Sequence, residues 1–243
     1  MGALLEVRGL TRRFGGVFAN RDVSFDVGEG RIVGLIGPNG AGKTTLFNLI
    51  TGFLAPDSGE VCFDGGAVTG MRPDVLNRLG IARTFQILKP FPRLTVEENV
   101  MVGALAHGEN LIAARARARH CLELVGIVHK SDDLARNLST GQRKRLEMAR
   151  AMATRPRLLM LDEITGGVDQ PSIPGLIRLV ASLRTGGMTL LVIEHNMRVI
   201  LELADTIVFL HLGEKLAEGT PAEIAGHPVV VDIYLGTADA QHK

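Results

Sequence analysis

Eight consecutive residues, Gly37-Pro38-Asn39-Gly40-Ala41-Gly42-Lys43-Thr44, carry the clearest chemistry in the chain. They fit the spacing G-x-x-x-x-G-K-[ST], with an apolar run from Ile32 to Ile36 before them and a helical pattern to Ile50 after. Phosphate demands these residue types. Glycines let backbone N–H groups converge on phosphate oxygens where a side chain would collide. A helix N-terminus adds the positive end of its dipole. Lys43 is then placed to reach the β- and γ-phosphates, Thr44 to ligate Mg²⁺, and Thr45 to add a hydroxyl contact.

A second cluster lies at Leu158-Leu159-Met160-Leu161-Asp162-Glu163, an apolar strand that ends in two carboxylates. Ligands of open α/β sheets bind at the carboxyl ends of strands. If this strand neighbours the phosphate-loop strand, Asp162 faces the Mg²⁺ site and Glu163 can polarise the attacking water. On its own the pair reads as surface acids; downstream of a phosphate loop it reads as chemistry. A third cluster, Leu138-Ser139-Thr140-Gly141-Gln142, opens a helix that keeps Leu146, Ala149 and Ala153 on one side among Arg143, Lys144, Arg145 and Arg150. Ser139 and Gln142 stand at capping-box spacing. The start is either a plain cap or an anion-binding helix end that Gly141 leaves open to close approach.

The elements that must position these groups follow from hydropathy. Strands are expected at Leu4 to Val7, Val23 to Val27, Arg31 to Ile36, Glu60 to Phe63 and near Ile81 to Phe85, with a helix from Gly42 to Ile50. From about Thr95 to Ala153 the chain reads as helix-rich. Alternation then returns, with strands Leu158 to Leu161, Thr189 to Ile193 and Thr206 to Leu210 and helices Ser172 to Leu183 and Met197 to Leu203. That rhythm, and strands that are apolar throughout, predict a mostly parallel sheet covered by helices, with the helical block as an inserted lobe. At 243 residues the chain is long enough for an ample core. Its 27 basic and 26 acidic residues nearly cancel, which gives nucleic acid no support. Cys62 and Cys121, the only cysteines, make neither a metal cluster nor a disulfide framework, as befits a reducing compartment. No apolar stretch approaches the ~18 residues of a membrane span, and Glu6 and Arg8 interrupt the first apolar stretch, so no signal peptide is read.

The three clusters, in this order, resemble the ABC ATPase family. Gly37 to Thr44 is similar to its Walker A, Leu138 to Gln142 to its LSGGQ signature with Thr140 for the first glycine, and Leu158 to Glu163 to its Walker B. Gln86 in Arg83-Thr84-Phe85-Gln86 is similar to the Q-loop glutamine, Asp169 to the D-loop aspartate, His195 to the switch histidine and Phe14 to an aromatic that stacks on adenine, although Phe14 also reads as core. The resemblance implies one ABC ATPase domain over 1–243. It would be α/β, with a P-loop NTPase core of mostly parallel sheet, an N-terminal antiparallel β subdomain and a helical lobe at about 95–153. It further implies ATP and Mg²⁺ as cofactors and a head-to-tail dimer, in which Ser139, Gly141 and Gln142 meet nucleotide held by the partner's Lys43. Gln86 would touch Mg²⁺ or water, and His195 would contact the γ-phosphate and help place Glu163 as general base. Ile164 departs from the family, which has proline after the glutamate; a looser turn and an altered rate are expected.

Arg12-Arg13-Phe14-Gly15-Gly16, Arg83-Thr84-Phe85-Gln86, Ile193-Glu194-His195-Asn196-Met197, Glu218-Gly219-Thr220-Pro221 and Ile233-Tyr234-Leu235-Gly236 resemble the ATPase subunits of branched-chain amino acid importers. Partners implied are membrane-spanning permeases, a like or unlike second ATPase subunit and, indirectly, a solute-binding protein, with the chain peripheral on the cytoplasmic face of the inner membrane. Import of urea or amides, a soluble ABC ATPase and a nucleotide-sensing module without turnover stand as alternatives. Ile87 to Leu94, with two prolines, reads as part of a groove for a permease helix or as a rigid surface loop. Arg115, Arg117 and Arg119 read as a solvated helix face, or as a face near anionic lipid.

Overall fold

Alternating apolar residues at the start of the chain build a long hairpin. In the computed structural model, which describes residues 2–85 and 90–233, β1 (Ala3–Phe14) and β2 (Val17–Gly28) pair antiparallel with Leu5 opposite Val27 and Val7 opposite Phe25. β3 (Ile32–Ile36) is buried along its whole length, and the loop after it opens α1 (Lys43–Ile50). β4 (Ser58–Phe63) lies along the other edge of β1, and β5 (Gly66–Ala67) pairs with β4. The four strands β2-β1-β4-β5 form the expected antiparallel sheet.

The next segment holds α2 (Pro73–Leu79), β6 (Ile81–Arg83), α3 (Val96–Ala106), α4 (Leu111–Leu124), α5 (Thr140–Met152), β7 (Leu158–Asp162) and α6 (Ile173–Thr185). β6 and β7 run parallel, Ile81 beside Leu158 and Arg83 beside Met160. Three side chains cap the helices: Thr95 closes a capping box with Glu98 on α3, Asn110 accepts the Ala113 N–H on α4, and Ser139 closes a box with Gln142 on α5. Small residues let these helices meet closely. Ala104, Ala114, Ala118 and Cys121 are buried, and a Cβ on Gly103 would stand 2.6 Å from the Arg150 carbonyl.

The chain ends through β8 (Thr189–Ile193), α7 (Met197–Leu203), β9 (Thr206–His211), β10 (Glu214–Gly219) and α8 (Pro221–Ala225). β3 takes β8 on one side and β9 on the other, both parallel, and β10 is antiparallel on β9. Contacts divide the molecule into two compact units, Met1–Pro73 with Thr189–Lys243 and Asp74–Met188. The mostly parallel sheet, the antiparallel sheet and the helices agree with the expected α/β P-loop fold.

Several expectations need correction. The condition set for Asp162, that β7 neighbours the phosphate-loop strand, is not met, because β8 and β9 occupy both sides of β3. β6 stops at Arg83 rather than Phe85, since the Phe85 N–H turns out of the ladder to a Glu147 carboxylate oxygen. β1 runs seven residues beyond Val7, and α2, β5, β10 and α8 were not expected. Arg115 and Arg119 lie exposed, as a solvated face should, and one turn apart on α4 they also pair through Nε with the buried Glu97 of α3 at 2.8 and 2.7 Å. Among the described residues, no helix is long and apolar enough to cross a membrane.

Candidate active site

The phosphate loop is shaped by two glycines that no other residue can replace. Gly37 and Gly42 adopt φ of 150° and 97°. A Cβ on Gly37 would lie 2.0 Å from the Leu210 carbonyl oxygen, and one on Gly42 would lie 2.1 Å from that of Ala19. Backbone thus presses on backbone, and the loop is seated against the ends of β9 and β2. Within it the Ala41 N–H reaches Pro38 O, and the Ala41 carbonyl accepts the Gly213 N–H. The first bond of α1 is Leu46 N–H to Gly42 O, so the N–H groups of Lys43, Thr44 and Thr45 have no acceptor within the helix. The Lys43 ammonium spans the loop, donating to the carbonyls of Gly37 and Pro38 at 2.7 and 2.8 Å. Asn39, Gly40 and Thr44 are exposed and Thr45 is half-buried. This cradle of outward N–H groups, one ammonium and two hydroxyls fits a phosphate chain and its divalent cation.

The same unit carries two further candidates. Phe14, at the end of β1, is 47% exposed, which removes the core reading; the Arg12 guanidinium lies 5.0 Å from its centroid. His195 is exposed just beyond β8. The turn that bears it is organised by the buried Glu194, whose carboxylate accepts the N–H groups of His195 (3.1 Å) and Asn196 (3.4 Å). Asn196 then caps α7.

In the other unit Asp162 closes β7 and is 1% exposed. Its N–H donates to Thr84 Oγ1 at 3.0 Å, and its Oδ2 accepts from Arg83 Nη2 at 3.3 Å. Arg83 in turn covers the Phe85 ring at 4.7 Å. Burial pulls the Arg83 pKa down while Asp162 opposes the shift. Glu163 follows with φ of 52°, a left-handed backbone that glutamate seldom adopts. Its carbonyl accepts from Lys144 Nζ at 2.6 Å and from the Gly166 N–H at 3.3 Å. Ile164, which follows, is buried. Asp169 is exposed and accepts the Ser172 hydroxyl at 2.8 Å.

The α5 start keeps both of its readings. Ser139 Oγ accepts the Gln142 N–H, and Gln142 Oε1 accepts the Ser139 N–H. A Cβ on Gly141 would meet nothing closer than 3.6 Å, so packing within this unit does not require glycine there. Gln86 and the first three residues of Ile87 to Leu94 lie outside the described residues. Sequence reasoning gave no role to Arg83, Thr84, Lys144, Glu147 or Glu194, whose hydrogen bonds hold Asp162, Glu163, Phe85 and the His195 turn within their own units. Glu147 is held partly buried, and burial chiefly pushes its pKa up to about 7 against the pull of the Phe85 N–H, Lys144 and Arg150.

Comparison with known proteins decides the family. The family description "ABC transporter" matches residues 20–166. This chain belongs to the ABC transporter family. A second description, "Branched-chain amino acid ATP-binding cassette transporter", matches residues 214–240 of the cassette. The cassette is 41% identical to the high-affinity branched-chain amino acid transport ATP-binding protein BraF of Pseudomonas aeruginosa, covering 97% of this chain and 98% of that protein. It is 38% identical to the corresponding protein LivG of Escherichia coli K12, with the same coverage. Among solved structures it resembles MJ1267, an ATP-binding cassette of an ABC transporter in its ADP conformation, with a TM-score of 0.89 at 33% identity over 97% of this chain and all of that one. It also resembles the dimeric bacterial cassette MJ0796, with a TM-score of 0.80 at 27% identity over 89% of this chain and 98% of that one. The cassette therefore binds nucleotide and hydrolyses ATP as a subunit of an ABC transporter.

Proposed function

We propose that the cassette powers uptake of branched-chain or other hydrophobic amino acids through a membrane-spanning permease supplied by a solute-binding protein. The observation that carries this reading is identity near 40% along almost the whole chain to proteins named for branched-chain amino acid transport, together with the second family match at 214–240. The cassette works at the cytoplasmic face of the membrane, held there by its permease, and pairs with a second ATPase subunit.

Each side chain then has a role. Phe14, exposed at the hairpin end, stacks on adenine. The loop from Gly37 to Thr45 holds the phosphates through N–H groups, and Lys43 leaves the loop carbonyls for the β- and γ-oxygens. Thr44 and Asp162, with Gln86, would hold Mg²⁺, which would supply charge neutralisation. Glu163 accepts the proton of the attacking water, and His195 steadies the γ-phosphate and that water. Ser139, Gly141 and Gln142 meet the nucleotide on the partner subunit, beside Asp169. Opening and closing of the paired subunits would drive the permease between its inward and outward states.

Affinity purification of the cassette from gently solubilised membranes tests the assignment. Two hydrophobic permeases and a second ATPase should accompany it, and the complex should hydrolyse ATP faster when a branched-chain amino acid and its binding protein are added. Recovery of the cassette alone, or with ribosomes or DNA, would overturn the transport assignment.

A further inference from the structure

Lys144 and Glu147 stand three residues apart on α5, and so on one helix face. Their charged ends go to backbone atoms of two other segments. Lys144, 4% exposed, donates to the carbonyl of Glu163 at 2.6 Å. Glu147 Oε1 accepts the N–H of Phe85, the residue before Gln86, at 2.7 Å. A buried ammonium is costly, and a methionine of similar length would fill the same space without that cost. What methionine lacks is the donor. That donor fixes the peptide plane that follows Glu163, at a residue held in the left-handed region, and so fixes where the Glu163 side chain points.

We propose that Lys144 and Glu147 are positioning residues. From one face of α5 they set the backbones of Glu163 and Phe85, and through the first of these the general base. This rests on the reading of Glu163 as the base. From the Ser139 cap to Glu147 the helix rises about 12 Å, little more than two turns. A straight helix of that length moves as one body, so a shift of its capped end, where the partner's nucleotide would sit, moves both contacts together.

Three measurements on the purified full chain test this: ATP turnover, nucleotide affinity and amide hydrogen exchange. Lys144→Met should lower kcat by roughly 10- to 100-fold, the range of a lost hydrogen bond to a charged group, and leave KM for ATP within about twofold. Amides of the 163–168 turn should exchange faster while those of α3 and α4 keep the parent rate. Lys144→Arg, which keeps a charged donor, should recover kcat to within about threefold. Glu147→Met should release the Phe85 amide to exchange, and Glu147→Gln, still an acceptor, should protect it. Parent kcat in Lys144→Met, or loss of kcat and KM together with faster exchange throughout the helices, would overturn the proposal. Glu163→Gln run alongside separates the two claims. If it keeps full turnover, the base assignment falls and the proposal with it. If it loses turnover and Lys144→Met does not, the positioning proposal alone falls.

Discussion

Replacing Glu147 by glutamine should change the pH dependence of stability in a calculable way. The carboxyl is pushed up from 4.5 to about 7, first by burial. Lys144 and Arg150 on its own helix, and the Phe85 N–H, pull it down; Asp162 at the end of β7 pushes it further up. Arg83 of β6 also faces this charge. Because the folded pKa lies above the unfolded one, the folded state keeps a proton that the unfolded state releases between those values. Stability from this group is complete below about pH 4.5, falls as pH rises, and levels off above about 7. A tenfold difference in proton affinity between the folded and unfolded chain corresponds to about 1.4 kcal/mol, so the loss between pH 5 and pH 8 is about 2 to 3 kcal/mol. Glutamine does not titrate and still accepts the Phe85 N–H. The stability of Glu147→Gln minus that of the parent should therefore rise by about 2 to 3 kcal/mol from pH 5 to pH 8, or roughly 4–12 °C in Tm difference. Urea unfolding of both proteins across that range, with all other groups cancelling in the difference, is the assay. A difference that stays flat with pH would defeat this expectation, because it would mean the carboxyl is as readily ionised in the fold as in the open chain.

Gly42→Ala places a Cβ at 2.1 Å from the Ala19 carbonyl at a φ of 97°, so the loop must move; calorimetric titration should find ATP affinity reduced by at least about tenfold, and parent affinity would count against the loop geometry. Arg83→Met removes the guanidinium from Asp162 where the two side chains are 6% and 1% exposed, and should cost about 3 kcal/mol in urea unfolding; an unchanged midpoint would show that the pair does not brace β7.

What the sequence made legible was local. The phosphate loop, the carboxylates after an apolar run and the capping box at Ser139 each lie within a few residues, where glycine freedom, strand burial and helix ends leave a direct mark. Strand pairing is not local: whether β7 borders β3 stayed a condition, because nothing in either run says that β8 and β9 take both sides of β3. Lys144 and Glu147 were invisible for a related reason. Among Arg143, Arg145 and Arg150 they look like a solvated helix face, and their partners are a carbonyl at 163 and an N–H at 85, which no side-chain pattern displays. The pairing of the exposed Arg115 and Arg119 with Glu97 was hidden in the same way, since the acid they clamp is on another helix.

The proposed motor turns on Glu163, at the turn after β7, as the base for ATP hydrolysis. Turnover and ATP binding of Glu163→Gln, measured beside the parent in the purified transporter complex, decide whether it is. ATP affinity should stay within about threefold of the parent while hydrolysis falls by about 10²- to 10⁴-fold. Hydrolysis at the parent rate would show that Glu163 is not the base.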